Sequence, residues 1–267
     1  MSRPHFASAI ATQRDGDAFV GEIQPGWDIA GNANGGYLMA MAATAMLEET
    51  QRQDPVTVTA HFHSAGTPGP VVVTPHVIKS GRRFATASAT VTRGSTPLLS
   101  VLGTFGELGE DVASLHVDGQ PPDLPPVEDC FPVIATETFP PPFMGQVRLR
   151  LHPHDANFLS GVRSGRAAMT GYFALLDDEE ITTTALLCAL DAFPPTIFNT
   201  DLPVAWTPTI ELTAHVRSRP APGWLRCRFT TRFITGGLLE EDGEIWDERG
   251  VLVAQSRQLA LVPRSTN

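Results

Sequence analysis

The sequence predicts an α+β protein made of two similar halves, and three observations support this prediction. The chain has 267 residues, of which 42% are hydrophobic and 18% charged, so it can bury a substantial core. Each half contains a helix-like apolar segment and then strand-like segments in which apolar and polar residues alternate. Short words of sequence also recur at a constant spacing. Together these features favour an internal duplication over a chance match.

The N-terminal half contains the first predicted helix, from about Asn34 to Glu49. It follows the glycine-rich sequence GNANGG, in which Asn32 or Asn34 would cap the helix. Four strand-like segments come next, separated by Gly/Pro turns: TVTAHFHSAG, VVVTPHVIKSG, FATASATVTRG and LLSVLGTF. We therefore expect an antiparallel sheet that covers this helix.

The C-terminal half repeats this order of elements. The segment from Glu179 to Phe193 predicts a second helix, which Pro194 and Pro195 would end. Four further segments predict an antiparallel meander with one buried face: ELTAHVRS, WLRCRFTTRFI, LEEDGEIWDERG and VLVAQSRQLALV. The buried face of such a sheet needs a cover, and a helix is the usual one.

The two halves also match in detail. The word Thr-Ala-His occurs at 59–61 and at 213–215, and Pro-Gly follows at 68–69 and at 222–223. Both pairs are 154 positions apart. The constant offset, together with the repeated order of elements, supports the duplication.

A proline-rich stretch separates the halves. It contains QPPDLPPVED and FPPPF, which are typical of an extended linker. We therefore divide the chain into an N-terminal unit (1–110), a linker (111–143) and a C-terminal unit (144–267).

Charge and cysteine content limit the classes of function. The formal net charge of −10 disfavours nucleic acid and anionic membranes as main partners. Three widely separated cysteines without a CxxC motif fit free thiols in a reducing cytosol. The N-terminus lacks an apolar signal core, and no run of about 18 apolar residues occurs, so we predict a cytoplasmic protein without a membrane span.

The glycine-rich sequence GNANGG does not fit a nucleotide-binding loop, because it lacks both the GxGxxG spacing and GK[ST]. At a helix start, Gly35 and Gly36 would let another group approach the free N–H groups of the first turn. Such amides suit an anion or a carbonyl oxygen that becomes anionic during a reaction. A tight turn of small residues explains the same sequence equally well.

Three polar residues are candidates for chemistry. Asp191 lies in the apolar sequence LLCALDAFPP, where an acid needs a partner or a task, although a solvated helix end would also explain it. Gln258 alternates with Ser256 and Ala260, so these three side chains share one face of the last strand. Thr209 opens the strand PTIELTAHV. By pattern alone, Thr209 and Gln258 could be ordinary solvent-facing strand residues.

Several of these segments resemble a known family, the acyl-CoA thioesterase II-like proteins. The similar segments are WDIAGNANGGYLMAMAATA, HFHSAGTPGPVVV and KSGRR in the first half, and LDAFPP, WTPTIELTAHVRSRPAPGWLRCRF and DERGVLVAQSRQLAL in the second. The resemblance covers most of the chain outside the linker. It implies a double-hotdog fold, in which each sheet curls around a central helix and the two sheets pair side by side.

The resemblance also implies a hydrolytic site. Family members use an aspartate, a threonine and a glutamine to orient and activate the attacking water, and these fall on Asp191, Thr209 and Gln258. A helix amide, at Gly36 or beside it at Gly35, would polarise the thioester carbonyl. No cofactor or metal is implied, and His152, His154 and Asp155 in LHPHDANF do not complete a metal site.

In the first half, the helix has no matching aspartate, and its nearest acids are Glu48 and Glu49. The resemblance therefore implies that only one of the two equivalent sites is catalytic.

The implied substrate is an acyl-CoA. Lys79, Arg82 and Arg83 form the densest basic cluster of this acidic chain and could bind the phosphates of CoA, although a solvated turn explains them equally well. A noncatalytic acyl-CoA- or lipid-binding module of the same fold is one alternative. An acyl-CoA hydratase or dehydratase is another, but its Asp…Asn-Pro…His signature is absent. Acyl-chain length, pathway and oligomeric state, including a homo-oligomer, stay open.

Overall fold

Two helix-and-sheet units follow one another in the computed structural model, which describes residues 5–109 and 116–263. The α-helices of these residues are α1 (Phe6–Ala9), α2 (Gly35–Thr50), α3 (Pro153–Ala156) and α4 (Thr183–Ala189). The strands are β1 (Thr12–Asp15), β2 (Ala18–Ile23), β3 (Asp28–Ile29), β4 (Asn32–Ala33), β5 (Asp54–Phe62), β6 (Gly69–Ser80), β7 (Ala85–Arg93), β8 (Thr96–Gly106), β9 (Phe131–Pro132), β10 (Val147–Leu151), β11 (Ala168–Leu175), β12 (Thr209–Val216), β13 (Leu225–Thr230), β14 (Ile234–Thr235), β15 (Leu238–Trp246) and β16 (Leu252–Leu261).

One antiparallel sheet of 14 strands runs through both units. Its order from edge to edge is β1-β2-β6-β7-β8-β5-β12-β16-β15-β13-β11-β10-β9, with β14 paired to β15. Strands β3 and β4 form a separate hairpin just before α2. The order confirms the predicted α+β fold, with the sheets of the two halves joined into one. Strands β1, β2, β9, β10 and β11 extend this sheet beyond the eight predicted strand segments.

The two Thr-Ala-His words lie side by side where the halves join. Strands β5 and β12 pair there, with Thr59 directly opposite Thr213 and their hydroxyl oxygens 2.9 Å apart. The words that repeat in the sequence therefore lie on equivalent strands that meet at the centre of the sheet.

Helix α2 lies inside the N-terminal half of the sheet. Its N-cap is Asn34, whose side-chain oxygen accepts the Tyr37 N–H at 2.8 Å. Most of its residues are buried, because strands β5 to β8 pack against one side and α4 against another. The helix ends before Gln51, which has a left-handed backbone conformation (φ 53°). The predicted helix is thus confirmed to within a residue at each end.

Helix α4 is shorter than the predicted segment Glu179–Phe193. It begins after Thr182, whose hydroxyl accepts the Ala185 N–H at 3.2 Å and caps the helix. At the other end the chain tightens, and the Asp191 N–H bonds to the Cys188 carbonyl three residues back, at 3.1 Å. Asp191 therefore lies just beyond the helix rather than within it.

Residues 116–143 of the predicted linker are partly packed against the rest of the chain, and the division of the chain into two units and a linker stays a prediction. They contain β9, paired with β10, and short 3-10 turns at 127–129 and 142–145. The reason lies in the apolar residues between the prolines, since Val133 and Phe143 are buried. The predicted boundary between residues 110 and 111 lies outside the described residues. No helix in the described ranges is long and apolar enough to span a membrane.

Candidate active site

A cavity of about 510 Å³ opens where the start of α2 meets the end of α4. Its wall contains Asp191, Thr209 and Gln258, so the structure brings these three predicted residues together. Most of the remaining wall is apolar, and many of its side chains are aromatic, namely Phe62, Phe139, Phe158, Phe193, Phe198, Trp206 and Phe229. A cavity of this size and chemistry is typical of a small-molecule site.

Asp191 is held by the helix start of the other half. The Gly36 backbone N–H donates to Asp191 Oδ2 at 2.8 Å, and the Asn34 side-chain amide donates to the same oxygen at 2.9 Å. The Asn34 amide also donates to the main-chain oxygen of Asp191 at 2.8 Å. Asn34 thus caps α2 with its oxygen and orients Asp191 with its nitrogen.

Two opposing effects set the protonation of Asp191. Burial raises its pKa, whereas the amides of Gly36 and Gly35 and the Asn34 side chain lower it. The net result is a pKa raised from 3.8 to about 6. The positive end of the α2 dipole favours the ionised form as well. The carboxylate is therefore ionised at neutral pH and still close enough to its pKa to take up a proton.

The Gly36 amide has a different partner from the one expected. Its N–H donates to the Asp191 carboxylate, which is the nearest strong acceptor. This N–H is therefore not available to bind the carbonyl oxygen of a thioester. Gly35, in contrast, is part of the cavity wall. A Cβ atom on Gly36 would lie 2.6 Å from the Leu187 carbonyl oxygen and 3.1 Å from Cα of Cys188. Glycine at position 36 lets the two helices approach this closely.

Thr209 and Gln258 form a hydrogen-bonded pair on adjacent strands. The Gln258 side-chain amide donates to Thr209 Oγ1 at 2.8 Å. Simple alternation would place Thr209 on the same face as Glu211, away from Gln258. A β-bulge between Thr209 and Glu211 reverses this, so that Thr209 pairs with Ala260 and faces the cavity. Among the described residues, no direct hydrogen bond joins this pair to Asp191.

Glu241 is a cavity residue that the sequence analysis missed. It lies directly opposite Gln258 in the β15–β16 register and is only 8% exposed. The Thr196 backbone N–H donates to its Oε2 at 2.9 Å. Burial raises the pKa of Glu241 to about 7, and the negative charge of Asp191 adds to this effect. The alternation of Leu239, Glu241 and Ile245 along β15 was a signal for its inward direction.

Models of known protein families match both halves of the chain. Residues 23–106 match the family model described as the acyl-CoA thioesterase N-terminal domain, and residues 118–262 match the acyl-CoA thioesterase C-terminal domain. The chain belongs to the acyl-CoA thioesterase family. The resemblance noted in the sequence is thereby confirmed.

Individual thioesterase relatives and solved structures are similar to this chain over nearly its whole length. An uncharacterised protein of Mycobacterium tuberculosis is 30% identical, over 92% of this chain and 91% of its own. A protein assigned as a thioesterase II from Thermobifida fusca is 30% identical, with a TM-score of 0.87 over 97% of both chains. A protein of unknown function with a hot dog fold from Alicyclobacillus acidocaldarius is 20% identical, with a TM-score of 0.85 over 98% of both. These matches confirm the double-hotdog fold.

The basic cluster predicted to bind CoA is not part of this cavity in the thioesterase fold. Lys79, Arg82 and Arg83 lie at the turn between β6 and β7, where the Gly81 carbonyl accepts a hydrogen bond from Arg52 at 2.5 Å. Arg52 follows the C-terminal end of α2, a helix of 16 residues and thus about 24 Å long. The cluster therefore lies near one end of α2, and Asp191 lies near the other end. CoA binding by the cluster stays a prediction.

The other acidic and histidine candidates have structural partners. Glu48 and Glu49 form exposed ion pairs with Arg14. His152 Nδ1 accepts the His154 N–H at the start of α3, and Asp155 accepts hydrogen bonds from Thr170. Across the described ranges, no group of three or more His, Cys, Asp or Glu residues is arranged to hold a metal ion.

Proposed function

We propose that this protein hydrolyses acyl-CoA thioesters to a free acid and CoA. The observation that carries the proposal is the meeting of Asp191 with the Thr209–Gln258 pair on one largely apolar cavity. Family membership supports acyl-CoA thioesterase chemistry in general. The roles assigned to Asp191, Thr209 and Gln258 follow the family resemblance, and their place on one cavity supports them.

In the proposed mechanism, Asp191 acts as general base on a water molecule. Its Oδ2 already accepts two hydrogen bonds, so we assign Oδ1 as the oxygen that takes the proton. The side-chain amide of Gln258 donates an N–H to Thr209. In this orientation the side-chain oxygen of Gln258 can accept a hydrogen bond from the water. The Thr209 hydroxyl accepts this N–H and can donate its own hydrogen to hold the water in place.

The water oxygen attacks the thioester carbon as its proton moves to Asp191. We assign the Gly35 N–H to the carbonyl oxygen because Gly35 lines the cavity and the Gly36 N–H donates to Asp191. The Gly35 amide also interacts with the Asp191 carboxylate, so in this proposal it serves both groups. The tetrahedral intermediate then collapses, the C–S bond breaks, and the CoA thiolate takes the proton from Asp191. The apolar wall would bind the acyl chain.

The decisive experiment offers purified protein a panel of acyl-CoAs from two to sixteen carbons and follows release of free thiol. The wild type should hydrolyse at least one of them, and Asp191→Asn should lower kcat by about 100- to 10,000-fold. Asp17→Asn, an exposed aspartate in the β1–β2 turn, is the matched control and should keep full activity.

Two other results would replace the proposal. Saturable binding of an acyl-CoA without any thiol release would favour a noncatalytic binding module. Conversion of an enoyl-CoA to its hydroxyacyl form, again without thiol release, would favour a hydratase. Hydrolysis that is unchanged in Asp191→Asn would keep the thioesterase and refute the proposed base.

A further inference from the structure

The segment of residues 24–34 joins β2 to α2 and ends at Asn34, the residue that orients Asp191. The Trp27 carbonyl accepts the Asn34 backbone N–H at 2.9 Å, so the segment closes on itself between these two residues. The Asn34 side chain is bound at both of its polar atoms. Its oxygen accepts the Tyr37 N–H, and its nitrogen donates to Oδ2 and to the main-chain oxygen of Asp191. Asn34 thus links the Trp27 main chain to the Asp191 carboxylate.

The Trp27 ring is held by an aromatic cluster that four segments of the chain build. Trp27 is 1% exposed and stacks on Tyr37 of α2, with ring centroids 4.9 Å apart and an angle of 16° between the planes. Phe6 of α1 and Phe143, from the turn before β10, lie beside it at centroid distances of 5.6 and 6.0 Å. Such contacts between rings add to the stabilisation that burial provides. The cluster therefore fixes the Trp27 side chain, and with it the main chain that binds Asn34.

Asp28 fixes the middle of the same segment. Its Oδ1 accepts the Gly26 N–H at 3.2 Å, and its Oδ2 accepts the Gly31 N–H at 3.0 Å. Between these two amides the chain passes through Ala30, which has a left-handed backbone conformation (φ 52°) that is uncommon for a residue with a side chain. A carboxylate that binds an amide on each side of this turn stabilises it. Asp28 and Trp27 therefore fix the path of the chain to Asn34.

We propose that Trp27 and Asp28 are positioning residues of this site, because they hold Asn34 in the place from which its side-chain amide orients Asp191. This role rests on the proposed function, in which Asp191 is the general base. Neither Trp27 nor Asp28 is part of the cavity wall, so both act through Asn34 rather than on the substrate. A base that is held in advance needs no reorganisation when the water attacks.

The protonation of Asp191 distinguishes this role from packing alone. The Asn34 amide is one of the contacts that lower the pKa of Asp191, whose net value is about 6. A segment that lets Asn34 move weakens this 2.9 Å hydrogen bond, so the pKa of Asp191 rises further. The titratable side chains that interact with Asp191 are Cys188 on α4 and Glu241 on β15, and His63 is a further one in the cavity wall. The variants below leave all three unchanged.

The test measures kcat/KM against pH for an acyl-CoA that the wild type hydrolyses. Trp27→Leu and Asp28→Ala should each move the rising limb upward by about 0.5–1 pH unit, because the carboxylate loses part of a hydrogen bond. Trp27→Phe keeps a ring against Tyr37 and should keep the limb near that of the wild type. Trp246→Leu also removes a buried indole, but outside the cavity wall, and should lower Tm without moving the limb. Asp17→Ala, in the exposed β1–β2 turn, is the control for Asp28→Ala.

A double variant tests whether Trp27 acts through Asn34. Asn34→Ala removes the contact directly and should move the limb in the same direction. Adding Trp27→Leu to it should move the limb no further, since both changes affect one contact. A second shift in the double variant would overturn the inference. So would a limb that stays in place in Trp27→Leu and Asp28→Ala although Tm falls, because the role would then be purely structural. If Trp27→Leu does not fold, Asp28→Ala decides, since this side chain is only half-buried.

Titration of the carboxyl group by NMR separates this inference from the proposed function. Protein labelled with carbon-13 at its aspartate carboxyl groups reports the pKa of Asp191 without turnover, and the signal that is missing in Asp191→Asn assigns it. An upward shift of this pKa in Asp28→Ala and Trp27→Leu is expected, and an unchanged pKa would overturn the inference. Failure of the wild type to hydrolyse any acyl-CoA would instead refute the proposed function.

Discussion

The Gly36 backbone N–H lies 2.8 Å from Oδ2 of Asp191, although 155 positions separate the two residues in the chain. One belongs to the first turn of the N-terminal helix, and the other follows the last turn of the C-terminal helix. Neither half alone can therefore orient this carboxylate. The site depends on how closely α2 and α4 pack, and that distance depends on a glycine.

The first prediction concerns this glycine. Gly36→Ala should destabilise the protein by about 1–3 kcal/mol, because the added Cβ would lie 2.6 Å from the Leu187 carbonyl oxygen. Activity should fall as well, since separating the helices moves the donor away from Asp191. Thermal unfolding and turnover measure the two effects. Gly119→Ala is the control, because the nearest atom to its new Cβ would be 3.8 Å away. Wild-type stability and activity in Gly36→Ala would contradict the proposed role of the contact.

Most of the fold could be predicted because its signals are local. Alternating side chains and Gly/Pro turns mark eight strands, and the N-cap Asn34 marks the start of α2. The end of α4 could not be predicted in this way. The apolar sequence continues to Phe193, but contacts with Asn34 and Gly36 from the other half hold Asp191 outside the helix.

The site was less predictable, because it depends on where strands are irregular. Thr209 faces the cavity only through the bulge before Glu211, and no local feature of the sequence marks that bulge. Gln258 shares a face with Ser256 and Ala260, as alternation predicted. Glu241 follows the same rule, yet a charged residue on a buried face is easily taken for an exposed one.

The second prediction concerns pH dependence. If Asp191 is the base, its ionised form is required, so kcat/KM should rise with pH and be half-maximal near a pKa of about 6. Glu241 also titrates near this range, with a pKa of about 7. The rising limb should therefore persist in Glu241→Gln, shifted slightly to lower pH because a nearby negative charge is gone. A profile that stays flat from about pH 5 to 8 would contradict the assignment.

The third prediction concerns stability in Asp191→Asn. Because the pKa of Asp191 is raised, the native state binds a proton more tightly than the unfolded chain does. The resulting stabilisation is complete below the unfolded pKa of 3.8 and is lost as pH rises through about 6. At pH 8 the wild type holds a partly buried charge, and Asp191→Asn should be more stable by about 1–2 kcal/mol, roughly 3–6 °C in Tm. The gain should disappear near pH 4.

A second buried aspartate supplies the control for this stability test. Asp54 is 2% exposed and accepts hydrogen bonds from Arg219, Thr183 and the Leu108 backbone. Its charge is therefore compensated, and Asp54→Asn should lower Tm at pH 8. If both variants lose stability at pH 8, Asp191 does not carry an unfavourable charge in the native state.

The fourth prediction concerns the Thr209–Gln258 pair. Their 2.8 Å hydrogen bond makes them one unit, because each fixes the orientation of the other. Thr209→Val and Gln258→Leu should each lower kcat by about 10- to 100-fold, and the double variant should be little worse than either single one. Thr213→Val is the control, since its hydroxyl bonds to Thr59 and the residue is not part of the cavity wall. Losses that multiply in the double variant would show that the two residues act on different steps or different parts of the substrate.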